Sequence, residues 1–206
     1  LIAKAGIVGK GFADRLMLGV NLSQSDKEIQ NGVRQEIVFG EKRTKSQSVM
    51  PSIEYIKRNL FTENLDVRLT ANYNRNTSHN IDTSAYRYNW RGESILTRTV
   101  GEQRYQNSEF TNDNWNITFN TSYRFFDNHS LTLNHVMTAL DRKTTATVDA
   151  STSSSGASDF NKRSRKNITG LSYRFNHMHM WNMSVFGKYY NQYGSGPVST
   201  SSDGYT

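Results

Sequence analysis

The residues able to do chemistry fall into a few groups, and none completes a reactive set. His177 and His179 stand two apart in Asn176-His177-Met178-His179-Met180, a spacing that can place both imidazoles on one strand face as metal ligands. A metal centre takes three or four ligands, no third lies nearby, and the segment reads as a turn, so no metal is assigned. Asp82, Glu93 and Glu102 are among the acids of one long polar stretch. Without a fixed separation they form no acid–base dyad and are expected as solvated loop charges. Gly6-Ile7-Val8-Gly9-Lys10-Gly11 offers glycines and a lysine to a phosphate. Its spacing fits neither the P-loop nor the dinucleotide fingerprint, and no helix follows to supply a dipole, so a hairpin turn is expected. No Ser/His/Asp order stands out, and the absence of cysteine removes thiolate chemistry and disulfides. Neither an enzyme nor a bound cofactor is expected.

Two further groups suggest binding. Five Asn-x-Ser/Thr triplets within the alternating segments begin at Asn21, Asn116, Asn120, Asn167 and Asn182. Residues two apart on a strand share a face, so these read as a polar wall rather than as sugar acceptors. Tyr86, Tyr88, Trp90 and Tyr105 sit in the polar stretch 76–112 and are the candidates for ligand contact. Their rings suit stacking on sugars, or packing of one loop against another.

The elements that must carry these residues are strands. In Trp115-Asn116-Ile117-Thr118-Phe119-Asn120-Thr121-Ser122-Tyr123-Arg124-Phe125, the odd positions are mostly apolar or aromatic and the even ones polar. This period of two makes one face oily and the other wet, over about the length a tilted strand needs to cross a bilayer. The pattern recurs at Leu16–Leu22, Val67–Tyr73 and Trp181–Tyr189, and more weakly at 1–8, 46–57, 129–140 and 166–175. Eight strands are expected, with no helix. The connections 9–15, 58–65, 126–128 and 176–180 are short, whereas 24–45, 76–112, 141–165 and everything after 190 are long and polar. Strict alternation of short and long connections is the rhythm of an outer-membrane barrel, with periplasmic turns and outer loops. Phe61, Phe125, Phe126, Tyr173, Phe175 and Trp181 fall near the short turns, and Tyr73, Trp115 and Tyr189 near the long loops, as two interfacial girdles would require. His135 would stand on the oily face, where a β-bulge or a place near the interface would relieve it.

Composition agrees with a half-wet sheet. Hydrophobic residues make up 35% and aromatics 12%, too polar for an ordinary soluble core and too aromatic for disorder. The net charge of +7 comes from scattered Lys and Arg, so a solvated basic surface is read and no nucleic-acid partner is expected. No apolar run nears the roughly 20 residues of a membrane helix. The chain opens at Leu1 without a signal peptide and ends in a Gly/Ser-rich stretch, and is read as an excerpt of something longer.

Several stretches resemble the barrel of TonB-dependent outer-membrane receptors, particularly the group of glycan and peptide importers. They are Lys27-Glu28-Ile29-Gln30-Asn31-Gly32, Met50-Pro51-Ser52, Lys57-Arg58-Asn59-Leu60-Phe61, Leu65-Asp66-Val67, Ala71-Asn72-Tyr73-Asn74-Arg75, Tyr88-Asn89-Trp90-Arg91-Gly92-Glu93, and Phe110-Thr111-Asn112 leading to Asn114-Trp115-Asn116. The resemblance covers most of residues 1–190. It implies that 1–206 is part of one antiparallel transmembrane β-barrel domain, without plug or closing strands. It further implies nutrient import (glycan, peptide or metal chelate) across the cell outer membrane. The implied partners are outer-membrane lipid, a periplasmic energy-transducing protein and, as a further option, a surface lipoprotein. Two alternatives remain: a complete eight-stranded barrel with a structural or adhesive role, and a soluble carbohydrate-binding β-sandwich.

Overall fold

The period-two segments fold as strands of a single antiparallel sheet. The structure is a computed structural model and describes residues 1–32, 35–126, 128–146, 161–177 and 181–196. In chain order the strands are β1 (Ile2–Lys10), β2 (Ala13–Glu28), β3 (Arg43–Lys57), β4 (Leu65–Asp82), β5 (Tyr86–Tyr88), β6 (Ser94–Leu96), β7 (Gln106–Phe125), β8 (His129–Ala146), β9 (Lys162–His177) and β10 (Trp181–Ser195). Eight of them form one meander in the order β1-β2-β3-β4-β7-β8-β9-β10; β5 forms a separate hairpin with β6, and its Tyr88 also bridges Val38. The sheet is open, with β1 and β10 as its edges among the described residues.

Register carries the alternation across the sheet, because directly opposed residues share a face. One row sets Ala5, Leu18, Ile53, Ala71, Ile117 and Met137 opposite one another. Two residues further, Ile7, Leu16, Tyr55, Leu69, Phe119 and His135 form the next row of the same face. The row between them in register, on the other face, includes Glu54, Thr70 and Thr118, and beyond it lie Ser52, Asn72, Asn116 and Thr138. Among the described residues the only buried hydrophobic side chains are Ala13 and Phe39. The apolar face is therefore uncovered.

Aromatic rings bound that face at both ends. Toward the long loops, Tyr73 and Trp115 lie with ring centroids 4.7 Å apart. Toward the short turns, Phe125 stacks on His129 at 5.5 Å and on Tyr173 at 6.4 Å, His129 meets Phe175 at 4.7 Å, and Phe175 meets Trp181 at 5.3 Å. The short turns are tight. Asn59, Phe61, Asn64 and Phe126 all take positive φ, and Asn59 Oδ1 accepts from Asn64 N at 2.9 Å. Phe61 and Phe126 hold their rings almost fully in the open, at 92% and 84% exposure. Each successive hairpin also ends further along the shared register, by roughly two residues per pair of strands. That stagger corresponds to strands inclined by about 30°.

The boundaries differ from the alternation in one consistent way. Loops expected at 24–45 and 76–112 shrink to 29–42 and 83–105; of 141–165, β8 takes residues up to Ala146 and β9 those from Lys162, with 147–160 outside the described residues, and β10 runs on to Ser195. Past Tyr73 and Trp115 both faces are polar, so the hydrophobic alternation stops while the hydrogen-bonded ladder continues. Cross-strand ion pairs decorate this extension: Asp26–Lys45 at 3.7 Å, Glu28–Arg43 at 3.4 Å, Arg75–Asp113 at 3.8 Å and Asp141–Arg163 at 3.3 Å. The turn expected over 9–15 narrows to Gly11 and Phe12, with Gly9 and Lys10 inside β1. Of the connection 176–180, Asn176 and His177 belong to β9, and 178–180 lie outside the described residues.

Two single-residue expectations also change. No bulge relieves His135, which keeps register between Phe119 and Thr169; its Nδ1 is 2.9 Å from Thr169 Oγ1 instead. Four of the five Asn-x-Ser/Thr triplets lie on the polar face. Asn167 and Thr169 instead share the face of Met137 and His135, because β9 is in register with Leu171 and Tyr173 on the apolar side.

Candidate functional site

The long-loop end is built around two carboxylates. Glu102 Oε1 accepts from the backbone N–H groups of Gly40 at 2.7 Å and Glu41 at 3.1 Å, and Oε2 accepts from Lys42 N at 3.0 Å. Asp82, the last residue of β4, accepts from Glu102 N at 2.6 Å and Gln103 N at 3.3 Å. The Lys42 ammonium lies 3.6 Å from Asp82 Oδ2, donates to Gln103 Oε1 at 3.2 Å and sits 4.4 Å over the Phe39 ring. Asp82 and Glu102 are 1% and 2% exposed. Burying a carboxylate is costly unless its oxygens are satisfied, and here each carries at least one donor. The two long loops 29–42 and 83–105 are thereby clamped to each other and to the end of β4. Asp82 and Glu102 are thus structural acids and not the solvated charges the sequence suggested. Nothing in the chain marks them, since the donors they meet are backbone groups some sixty residues away for Glu102. Glu93 stays exposed, accepting from Asn89 Nδ2 at 2.7 Å.

Glycine makes the clamp possible at two positions. Gly101 has φ +99°, and a Cβ there would strike the Tyr105 backbone; its N–H donates to Ser84 O at 2.7 Å. Gly40 lies under the Tyr88 ring, where a Cβ would come within 2.6 Å of ring carbons.

The four aromatic candidates are placed differently from one another. Tyr88 packs over Gly40 and its hydroxyl donates to Glu41 Oε1 at 2.7 Å. That contact favours the neutral phenol and raises its pKa above the ordinary value. Tyr86 pairs with Leu96 across the β5–β6 hairpin and is half exposed. Trp90 stands at the hairpin turn, 67% exposed. Tyr105 is separate, at the foot of β7 beside Gly101. Tyr86, Tyr88 and Trp90 share one hairpin, and no ring-to-ring contact joins any of the four among the described residues.

The polar sheet face is a ladder of amides and hydroxyls. Asn116 Nδ2 donates to Asn72 Oδ1 at 3.1 Å, Ser48 to Asn74 Oδ1 at 2.8 Å, and Arg142 Nε to Asn112 Oδ1 at 2.7 Å. Asn134 donates to Asn120, and Ser122 and Thr132 pair at 3.2 Å. Glu54 takes both Arg15 and Arg68 at 3.4 Å. Such a wall holds water and polar solutes by hydrogen bonds and carries no nucleophile–base pair. Among the described residues no three His, Asp or Glu side chains come together as a metal site; His179 lies outside them. No family model, curated protein or solved structure matches the chain.

Proposed function

We propose that this chain is a stretch of wall from an outer-membrane β-barrel of the TonB-dependent receptor kind, serving nutrient import into the periplasm. The observation that carries the reading is an apolar band, edged by aromatic rings, on the uncovered face of a single sheet. From Trp115 to Phe125 the band runs about 33 Å along β7. Inclined by about 30°, as the stagger gives, it stands about 29 Å tall, close to the roughly 25 Å lipid-facing band of such barrels. The exposed rings of Phe61 and Phe126 at the short turns suit a headgroup boundary. The amide and hydroxyl face then lines the lumen, and the clamped loops face outward, where they meet the ligand, whether glycan, peptide or metal chelate. In this reading import is driven by a periplasmic energy-transducing protein acting on the longer receptor. A soluble carbohydrate-binding sandwich would need a second sheet over the apolar face, and the described residues form none.

Three tryptophans at three heights give the test. Single-tryptophan variants reconstituted in bilayers would be read by quenching with lipids brominated at shallow and deep positions. Trp115 and Trp181 are expected to be quenched by shallow bromines, and Trp90 only by aqueous iodide. Equal iodide access at all three would overturn the membrane assignment.

A further inference from the structure

We propose that the β5–β6 hairpin is a docking surface for an acidic protein segment. Its basis is how charge is placed on a prearranged support. Five acids lie on the two long loops and the end of β4, and four are spent internally. Glu102 and Asp82 hold backbone N–H groups, Glu41 holds the Tyr88 hydroxyl and Glu93 holds Asn89. Only Glu36 is left without a partner among the described residues. The cations divide the other way. Lys42 is tied to Asp82, whereas Arg87, Arg91, Arg98 and Arg104 are exposed and carry no ion pair or side-chain hydrogen bond among the described residues. The loops thus turn Asp82 and Glu102 inward, engage Glu41 and Glu93 in local hydrogen bonds, and leave four guanidinium groups exposed.

Apolar groups are interleaved with these charges. Arg87 stands opposite Ile95 and Tyr86 opposite Leu96, with Trp90 at the turn. Ile95, Leu96 and Trp90 are 73%, 66% and 67% exposed. Residues 83–105 hold four arginines and no lysine. Arg, Trp and Tyr are the residues that dominate protein interfaces, where lysine is depleted. A bare polyanion would need charge alone and gains nothing from Ile95 and Leu96, so a protein segment fits better than an acidic polysaccharide. The carboxylate clamp beneath lowers the ordering cost of binding, because the surface is already fixed before a partner arrives.

This inference goes beyond the transport reading and does not depend on it. The full chain in detergent would be titrated by fluorescence anisotropy with a labelled short peptide of glutamates interleaved with tyrosines. Controls are the same peptide with every glutamate replaced by glutamine, and alginate as a polyanion without apolar groups. The acidic peptide is expected to bind at least about tenfold more tightly than the glutamine peptide, more weakly as salt rises. Trp90→Ala, which removes an exposed side chain and leaves the fold intact, should weaken it by about fivefold or more, as should Arg87→Gln with Arg91→Gln. Binding indifferent to Trp90→Ala, or alginate displacing the peptide as well as unlabelled peptide does, would overturn the proposal. So would equal binding of the two peptides. Because Trp115 and Trp181 report membrane depth and Trp90 reports docking, either reading can fail while the other stands.

Discussion

Glu102 reaches across sixty residues of sequence to three successive part-buried backbone N–H groups, and its removal would take away the acceptor they share. An orphaned buried donor costs about 1–3 kcal/mol. Glu102→Ala should therefore speed amide hydrogen exchange at Gly40, Glu41 and Lys42 by at least about tenfold while leaving β4 and β7 unchanged. Unchanged exchange at those three amides would mean that the clamp is held by something else. Tyr88 gives a pH-dependent reading of the same region. Its phenol pKa is raised by the hydrogen bond to Glu41, so the contact is at full strength below the ordinary value near 10 and is lost as pH climbs through the higher one. Ultraviolet titration should find Tyr88 among the later tyrosines to ionise, and Glu41→Gln should bring it back toward 10. At this scale the sequence was only partly legible. The aromatic residues of the second loop were visible by type, but whether a ring is committed, as Tyr88 is, or free, as Trp90 is, depends on Gly40 and Glu41 arriving from another loop.

At the scale of the element, the strands were readable wherever their two faces differ and unreadable where they do not. Val67 to Tyr73 alternates and is found at once; Asn76 to Asp82 continues the same strand, β4, but apart from Ile81 is polar on both sides and reads as loop. The three-residue strands β5 and β6 are too short to carry any period, although Asn89 and Gly92 mark the turn between them. The face assignment itself makes a paired prediction. Ala71 lies on the apolar face and Thr70 on the polar one, one residue apart in mid-band. In a bilayer, Ala71→Arg should cost about 2–4 kcal/mol in unfolding free energy, with Thr70→Arg well below it. Urea titration of the two variants in vesicles would check this, and equal losses would mean that the faces are misassigned.

For the whole molecule the decisive feature is a sheet whose two edges, β1 and β10, are bare among the described residues. Edge strands present unpaired backbone donors and acceptors, which are especially costly in lipid. The isolated chain in detergent is therefore expected to associate through β1 and β10, giving oligomers on size-exclusion chromatography and no discrete compact band in unboiled gels. A monomer whose gel mobility shifts on boiling would instead mean that β1 and β10 pair, and would favour the complete eight-stranded barrel.

The polar extension of the strands sets a distance. From Tyr73 to Asp82, β4 climbs nine further residues, about 30 Å along its axis. On the membrane reading that slope lifts the clamped loops about 26 Å clear of the apolar band, after a tilt of about 30°. The wall then works as a chimney as well as a channel. Whatever enters is first met at a mouth held well off the cell surface, within reach of antibodies, proteases and phage tails that never touch the bilayer.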